Sequence, residues 1–239
     1  MIYKQIFKSD RKYFLLLIDP EFHTPHSAGK TAELAAIAGT DIILVGGSLT
    51  SRPVEDIVDA IKRSCDCPVI LFPGSLFQIS GNADGILLTS LISGRNPEYL
   101  IGNHVLISQF LKSSKLEIIP TGYILIDGHP SAVEYISNTN PIPAEKPDII
   151  AATALAGEQL GLKLIYIEAG SGADNPVRKE AVTRVKESIS IPLIAGGGIK
   201  TPEDIRTLYQ AGANGVVIGS AIENDFHALK TLAKVKNEF

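Results

Sequence analysis

Cysteine is almost absent: two in 239 residues, one position apart, as Cys65 and Cys67. A C-x-C pair supplies neither the disulfide framework of a small secreted scaffold nor the paired spacing of a zinc site, so both read as reduced cytoplasmic thiols. Basic runs are missing too, and the formal charge is −4 at pH 7, which sets nucleic acid and anionic membrane surfaces aside as main partners. No stretch reaches the roughly 18 apolar residues that a spanning helix needs, and the N-terminus, MIYKQIFKSDRKYF, has charges throughout and no apolar core of signal length. The expectation is a soluble cytoplasmic protein without stable membrane insertion. A G-x-G-x-x-G after the first strand pattern is also lacking, which weighs against an open doubly wound sheet.

What remains, at 45% hydrophobic residues, can bury one large core, and residues 1–239 read as a single domain. Strand and helix patterns alternate, as a parallel sheet with crossover helices requires. Apolar runs predict strands over 13–19, 41–45, 68–72 and 84–88, within 117–125, from 163, and over 192–195 and 215–218. Helical spacing predicts helices over 27–38, 53–63, 97–111, 148–160, 178–188, 202–211 and 226–235. Only eleven residues, PGSLFQISGNA, separate strands three and four, too few for a comfortable crossover helix. The expected fold is therefore a modified (β/α)8 TIM barrel lacking a regular third helix. Residues 127–147, rich in Pro, Asn and Ser around an amphipathic piece at 132–136, read as a loop insertion.

Functional residues of such a barrel lie where strands end. Asp19 closes the first strand, Ser48 follows the second, Glu168 closes the sixth, glycines 196 to 198 follow the seventh, and Gly219 and Ser220 follow the eighth. Glycine turns let backbone N–H groups approach an anion, and two of them on the last two strands match the place where many barrels hold phosphate. Asp19 and Ser48 offer oxygens that suit a hard cation, although a strand-stopping Asp and a helix-capping Ser fit the same pattern. Glu168, ending an apolar run, either serves chemistry or makes a structural hydrogen bond. His23 and His26 flank a proline and read as loop histidines rather than a metal pair. His104 and His129 have no evident partner.

In this order, IDP at 18–20, GGS at 46–48, YIEAGSG at 166–172, AGGGI at 195–199 and IGSA at 218–221 resemble the geranylgeranylglyceryl phosphate synthase family, which includes related bacterial heptaprenylglyceryl phosphate synthases. The resemblance spans nearly the whole chain, and the Y-x-E-x-G-S-G heptad is its most specific part. It implies a barrel whose third helix is missing or replaced. It also implies an enzyme that joins a polyprenyl diphosphate, geranylgeranyl diphosphate above all, to sn-glycerol 1-phosphate with Mg2+, releasing diphosphate. By position, Asp19 and Ser48 would hold the metal. Tyr166, Ile167, Glu168, Ala169, Gly170, Ser171, Gly172, Gly197, Gly198, Gly219 and Ser220 would hold glycerol 1-phosphate. Glu168 would accept the hydroxyl proton, with Tyr166 orienting the acceptor. A homo-oligomer is expected.

One departure is visible. The family often has Lys two residues after its D-P, whereas here Glu21 and Phe22 follow Pro20; this leaves open which cation besides magnesium receives the diphosphate, with Lys30 and Arg52 as candidates. Two other readings stay in view: a sugar-phosphate isomerase or epimerase using Glu168 and Asp19 as a two-base pair, and a barrel that binds a phosphorylated ligand without chemistry. A prenyl tail is longer than a packed barrel mouth can hold. The uncovered place is beside strands three and four, where Leu76, Phe77 and Ile79 are expected to wall a groove opposite strand four and residues 91–99.

Overall fold

The structure, a computed structural model, describes residues 1–7, 11–50, 52–127, 131–219 and 226–239. Eight parallel strands close into a barrel in chain order: β1 (Tyr13–Ile18), β2 (Ile42–Val45), β3 (Val69–Leu71), β4 (Gly85–Leu91), β5 (Glu117–Leu125), β6 (Leu164–Glu168), β7 (Leu193–Gly196) and β8 (Gly215–Ile218). The ring closes where β1 pairs with β8, Tyr13 beside Gly215. Because successive side chains in a strand point to opposite faces, each strand feeds two cores. Leu15, Leu44, Ile70, Leu87, Tyr166 and Val217 fill the barrel, whereas Phe14, Ile43, Val45, Ile165 and Ile167 meet the helices.

The outer layer comprises α1 (Pro25–Ala38), α2 (Val54–Ser64), α3 (Asn103–Ser113), α4 (Ala132–Ser137), α5 (Pro147–Gln159), α6 (Lys179–Ser188), α7 (Pro202–Gln210) and α8 (Phe226–Lys234). Local chemistry fixes several ends. Thr24 caps α1 by accepting from the Ser27 amide at 3.2 Å, and Gly39, at φ 97°, takes the left-handed conformation that ends it. On α2 the expected three-and-four spacing buries Val54, Ile57, Val58 and Ile61. The region expected as one helix over 97–111 divides into a π-helical turn, Glu98–Gly102, and then α3.

No helix crosses from β3 to β4, as expected. A buried amide does the pinning instead. Gln78 accepts from the backbone N–H of Gly47 at 3.1 Å and of Gly74 at 3.2 Å, and donates to the Gly47 carbonyl at 2.8 Å. Two side-chain acceptances and one donation thus fasten the connection to the turn after β2, leaving little of this buried group unsatisfied.

A feature with no sequence expectation closes the opposite end. The π-helical turn Tyr3–Phe7 buries Ile6 and Phe7 under the barrel, with the Phe7 ring edge-on to Tyr13 at 5.3 Å. Glu117, at the start of β5, accepts from the N–H groups of Ile2 and Tyr3, and the Tyr3 hydroxyl donates to the Lys163 carbonyl at 2.7 Å. With the N-terminal end plugged, ligands have the C-terminal mouth.

Candidate active site

Two cavities adjoin at that mouth, and Leu17, Asp19, Glu168 and Ser171 line both. One is apolar, walled by Phe72, Leu91, Tyr99, Tyr123, Val133 and Ile136. The other is lined by Gly172, Gly197, Gly198 and Gly219, with Tyr166 and Lys200. The pleat explains the selection. Leu17 continues the inward parity of Tyr13 and Leu15, and Glu168 that of Leu164 and Tyr166.

Glu168 is buried at the seam between the cavities. Tyr123 donates to its Oε2 at 2.7 Å, and Tyr166 supplies a second side-chain hydrogen bond. Burial raises the Glu168 carboxyl above the ordinary glutamate value, and the two phenols pull the other way without cancelling it. A carboxylate in this setting can take a proton from a substrate hydroxyl.

Asp19 is half-buried. Burial raises its carboxyl, the hydrogen bond from the Glu21 N–H opposes that, the Glu21 charge adds to it, and His23 lowers it. The bond from Glu21 falls on Oδ1 at 2.9 Å. A Cβ on Gly47 would collide with this carboxylate, so glycine there brings the β2 turn against Asp19. Ser48 lines the apolar cavity near the same carboxylate. Carboxylate and hydroxyl oxygens are a donor set that fits a hard cation retaining waters and substrate oxygens. Among the described residues, no group of three or more His, Cys, Asp and Glu side chains comes together as a metal cage.

In the glycine-lined cavity, Gly197 and Gly198 have φ of 80° and 68°. A Cβ on Gly198 would strike the Asn175 carbonyl, and one on Gly197 would crowd the Gly170 backbone. Both positions therefore require glycine for conformation and for space. Lys200 lines this cavity, and its ammonium donates to the Asp174 carbonyl at 3.1 Å.

Of the residues expected in the site, the structure brings together Asp19, Ser48, Tyr166, Glu168, Ser171, Gly172, Gly197, Gly198 and Gly219. The side chains of Ile167 and Ala169 belong to the helix-facing core, because they alternate with Tyr166 and Glu168. Gly170, at φ 98°, shapes the turn rather than lining either cavity. Ser220 and His129 lie outside the described residues. Lys30 is exposed on α1, and Arg52 donates to the His23 carbonyl at 3.1 Å; neither lines a cavity. His23 sits near Ser27, and the His104 Nε2 lies 2.9 Å from the Thr89 carbonyl.

The groove beside strands three and four is there, with Thr89 and Leu91 of strand four and Tyr99 lining it as expected, but the expected wall of Leu76, Phe77 and Ile79 is not. Phe77 is 90% exposed and Ile79 packs against the helix-facing core. Leu76 lines neither cavity. The far wall is α4, through Val133 and Ile136, tied to the near side by the Tyr99 hydroxyl on the Ile136 carbonyl at 3.2 Å. Sequence reasoning missed Tyr123, Lys200 and this role of α4. The only signal for Tyr123 was an aromatic residue of inward parity in an apolar strand.

Comparison with known proteins agrees with this geometry. A model of the PcrB family matches residues 4–236. The chain is 46% identical over 224 residues to the geranylgeranylglyceryl phosphate synthase of Chitinophaga pinensis, covering 93% of this chain and 89% of that protein. Its structure superposes at TM-score 0.92 and 37% identity on the crystal structure of (S)-3-O-geranylgeranylglyceryl phosphate synthase from Thermoplasma acidophilum, solved with substrate sn-glycerol-1-phosphate, covering 96% and 95% of the two chains. An N-acetylmannosamine-6-phosphate 2-epimerase from Clostridium perfringens, at 16% identity and TM-score 0.56 over 90% of each chain, shares the fold alone.

Proposed function

The chain belongs to the PcrB family, and on that premise we propose that it is a prenyltransferase joining geranylgeranyl diphosphate to the free terminal hydroxyl of sn-glycerol 1-phosphate. The products are an ether-linked lipid precursor and diphosphate. The observation that carries this reading is the meeting of an apolar and a glycine-lined cavity over one buried carboxylate. A sugar-phosphate isomerase has use for the second cavity and none for the first.

The prenyl tail occupies the apolar cavity between Phe72, Leu91 and Val133. Acceptor phosphate sits against the turns at Gly197, Gly198 and Gly219, with Lys200 as the nearby cation. The acceptor hydroxyl then lies over Glu168. As its oxygen bonds to C1 of the prenyl chain, the C1–O bond to diphosphate breaks and Glu168 receives the hydroxyl proton. Holding both substrates in separate cavities that share one wall aligns the reacting atoms. Asp19 and Ser48 would hold Mg2+, which when bound neutralises charge developing on the leaving diphosphate. Assembly as a homo-oligomer in the cytoplasm completes the proposal, supported by an exposed apolar face on α3 and two free cysteines. Among the described residues, no helix is long and apolar enough to cross a membrane.

The test is purified protein with Mg2+, either enantiomer of glycerol 1-phosphate, and labelled prenyl diphosphates of several lengths, followed by extraction of lipid. Labelled ether product is expected with sn-glycerol 1-phosphate. Its mirror image should react at least about fivefold more slowly, because even one misplaced polar contact costs ~1–3 kcal/mol. Equal rates with the two enantiomers would sink the acceptor assignment, and no lipid product at any chain length would sink the reaction.

A further inference from the structure

Glu168 receives a phenol from each side of the seam. Tyr166 lines the glycine-lined cavity and not the apolar one, while Tyr123 lines the apolar cavity and not the other. Their strands run in register, Tyr123 opposite Tyr166 and Leu125 opposite Glu168, so both rings lie one inward step below the carboxylate. The rings meet edge to face at 5.4 Å and 87°. Phe72 packs against both, at 5.9 Å from Tyr123 and 5.3 Å from Tyr166. The buried Tyr166 and the half-buried Phe72 thus leave the Tyr123 ring little freedom, and its hydroxyl reaches Oε2 of Glu168 at 2.7 Å.

On the prenyl-transfer reading above, we infer that Tyr123 is a positioning residue for Glu168, holding the carboxylate ionised and turned into the seam from the donor side. The physical basis is a charge-assisted hydrogen bond in a dry site, roughly twice as strong as a neutral one. It stabilises the carboxylate and not the protonated acid, so it keeps the base ready before the acceptor's proton arrives. Tyr123 from β5 and Tyr166 from β6 bond to Glu168, and the other charged groups lining its cavities are Asp19 from the end of β1 and Lys200 from the turn after β7. The two tyrosines are the neighbours that shift its ionisation, both toward the carboxylate. Tyr123 touches neither the glycine turns nor the acceptor cavity, which separates its role from that of Tyr166.

Tyr123→Phe keeps the ring and removes the donor. For wild type, kcat/KM should fall on the acid side with the ionisation of Glu168. In the variant the midpoint of that limb should move up by about one pH unit, the size expected for losing one hydrogen bond to a charge. Activity within the limb should fall about tenfold and recover to within a few-fold of wild type above it, with KM for glycerol 1-phosphate unchanged. A merely structural role would lower the rate equally at every pH. The second readout is independent of turnover: in protein without substrates, the infrared band of the protonated carboxyl, assigned by its loss in Glu168→Gln, should persist to higher pH in Tyr123→Phe. Should that variant not fold, 3-fluorotyrosine installed at position 123, a stronger donor, must move the band toward lower pH. Parallel pH profiles with an unmoved band overturn the role of Tyr123. Wild-type protein that makes no lipid product while the band still moves overturns the prenyl-transfer reading and leaves the pairing of Tyr123 with Glu168 standing.

Discussion

Burial raises both mouth carboxyls, and their neighbours give them different work. Glu168 sees two neutral phenols and can exchange a proton. Asp19 has one backbone N–H on Oδ1 and the negative Glu21 nearby, and a hard cation held by its carboxylate would offset both burial and that neighbouring charge. Asp19→Ala should therefore abolish magnesium-dependent turnover while glycerol phosphate affinity changes no more than a few-fold. Steady-state kinetics over a Mg2+ series, with calorimetric titration of the acceptor, checks this. Activity within a few-fold of wild type would mean that the cation is held elsewhere. Gly47 sets a boundary on this local design, since any side chain there collides with Asp19.

At the scale of elements, no helix covers the β3–β4 connection, and α4 supplies the wall opposite Phe72, Pro73 and Gly74 of that connection. Val133→Trp should fill the apolar cavity and shorten the accepted prenyl chain, with glycerol phosphate binding intact. Phe77→Asp, on a side chain that faces solvent, should leave the chain-length profile unchanged. Product analysis with a ladder of prenyl diphosphates reads both; a shortened profile from Phe77→Asp would put Phe77 back in the wall of the groove. The same contrast shows what sequence carries. A β-branched run bounded by glycine located β8 closely, and the ends of the apolar runs then placed Asp19 and Glu168 at the mouth. The turn Tyr3–Phe7 escaped, and Glu98–Gly102 merged with the helix expected over 97–111, because a π-helical turn lacks the 3.6-residue period that marks a helix. Tyr123 escaped because a buried tyrosine resembles core until its hydroxyl has a partner. The role of α4 depends on which element it faces across the mouth, and no local pattern encodes that.

Over the whole molecule, one side of the barrel stays unfinished. α2 and α3 have eleven residues each; α2 buries Val54, Ile57, Val58, Ala60 and Ile61, whereas α3 buries Leu111 alone. Its outward face is nonetheless apolar, with Ile101 before it 62% exposed, Val105 65%, Leu106 70% and Phe110 45%. Ile101 and Val105, then Leu106 and Phe110, stand four apart and form two exposed rows along this helix. Leaving such rows in water forfeits about 25 cal/mol per Å2 of apolar surface that contact would bury, and a patch of this kind marks an interaction surface. A second copy of the chain would cover it with an equivalent face, the self-complementary arrangement that closes a two-fold dimer. The expected outcome is that the wild-type protein sediments as a homo-oligomer, and that Val105→Glu combined with Phe110→Glu dissociates it to monomers with an unchanged circular dichroism spectrum, since neither side chain supports the barrel. Sedimentation velocity at micromolar protein decides the matter. A wild-type monomer, or a doubly charged variant that still assembles, would show that copies of this chain do not meet through α3.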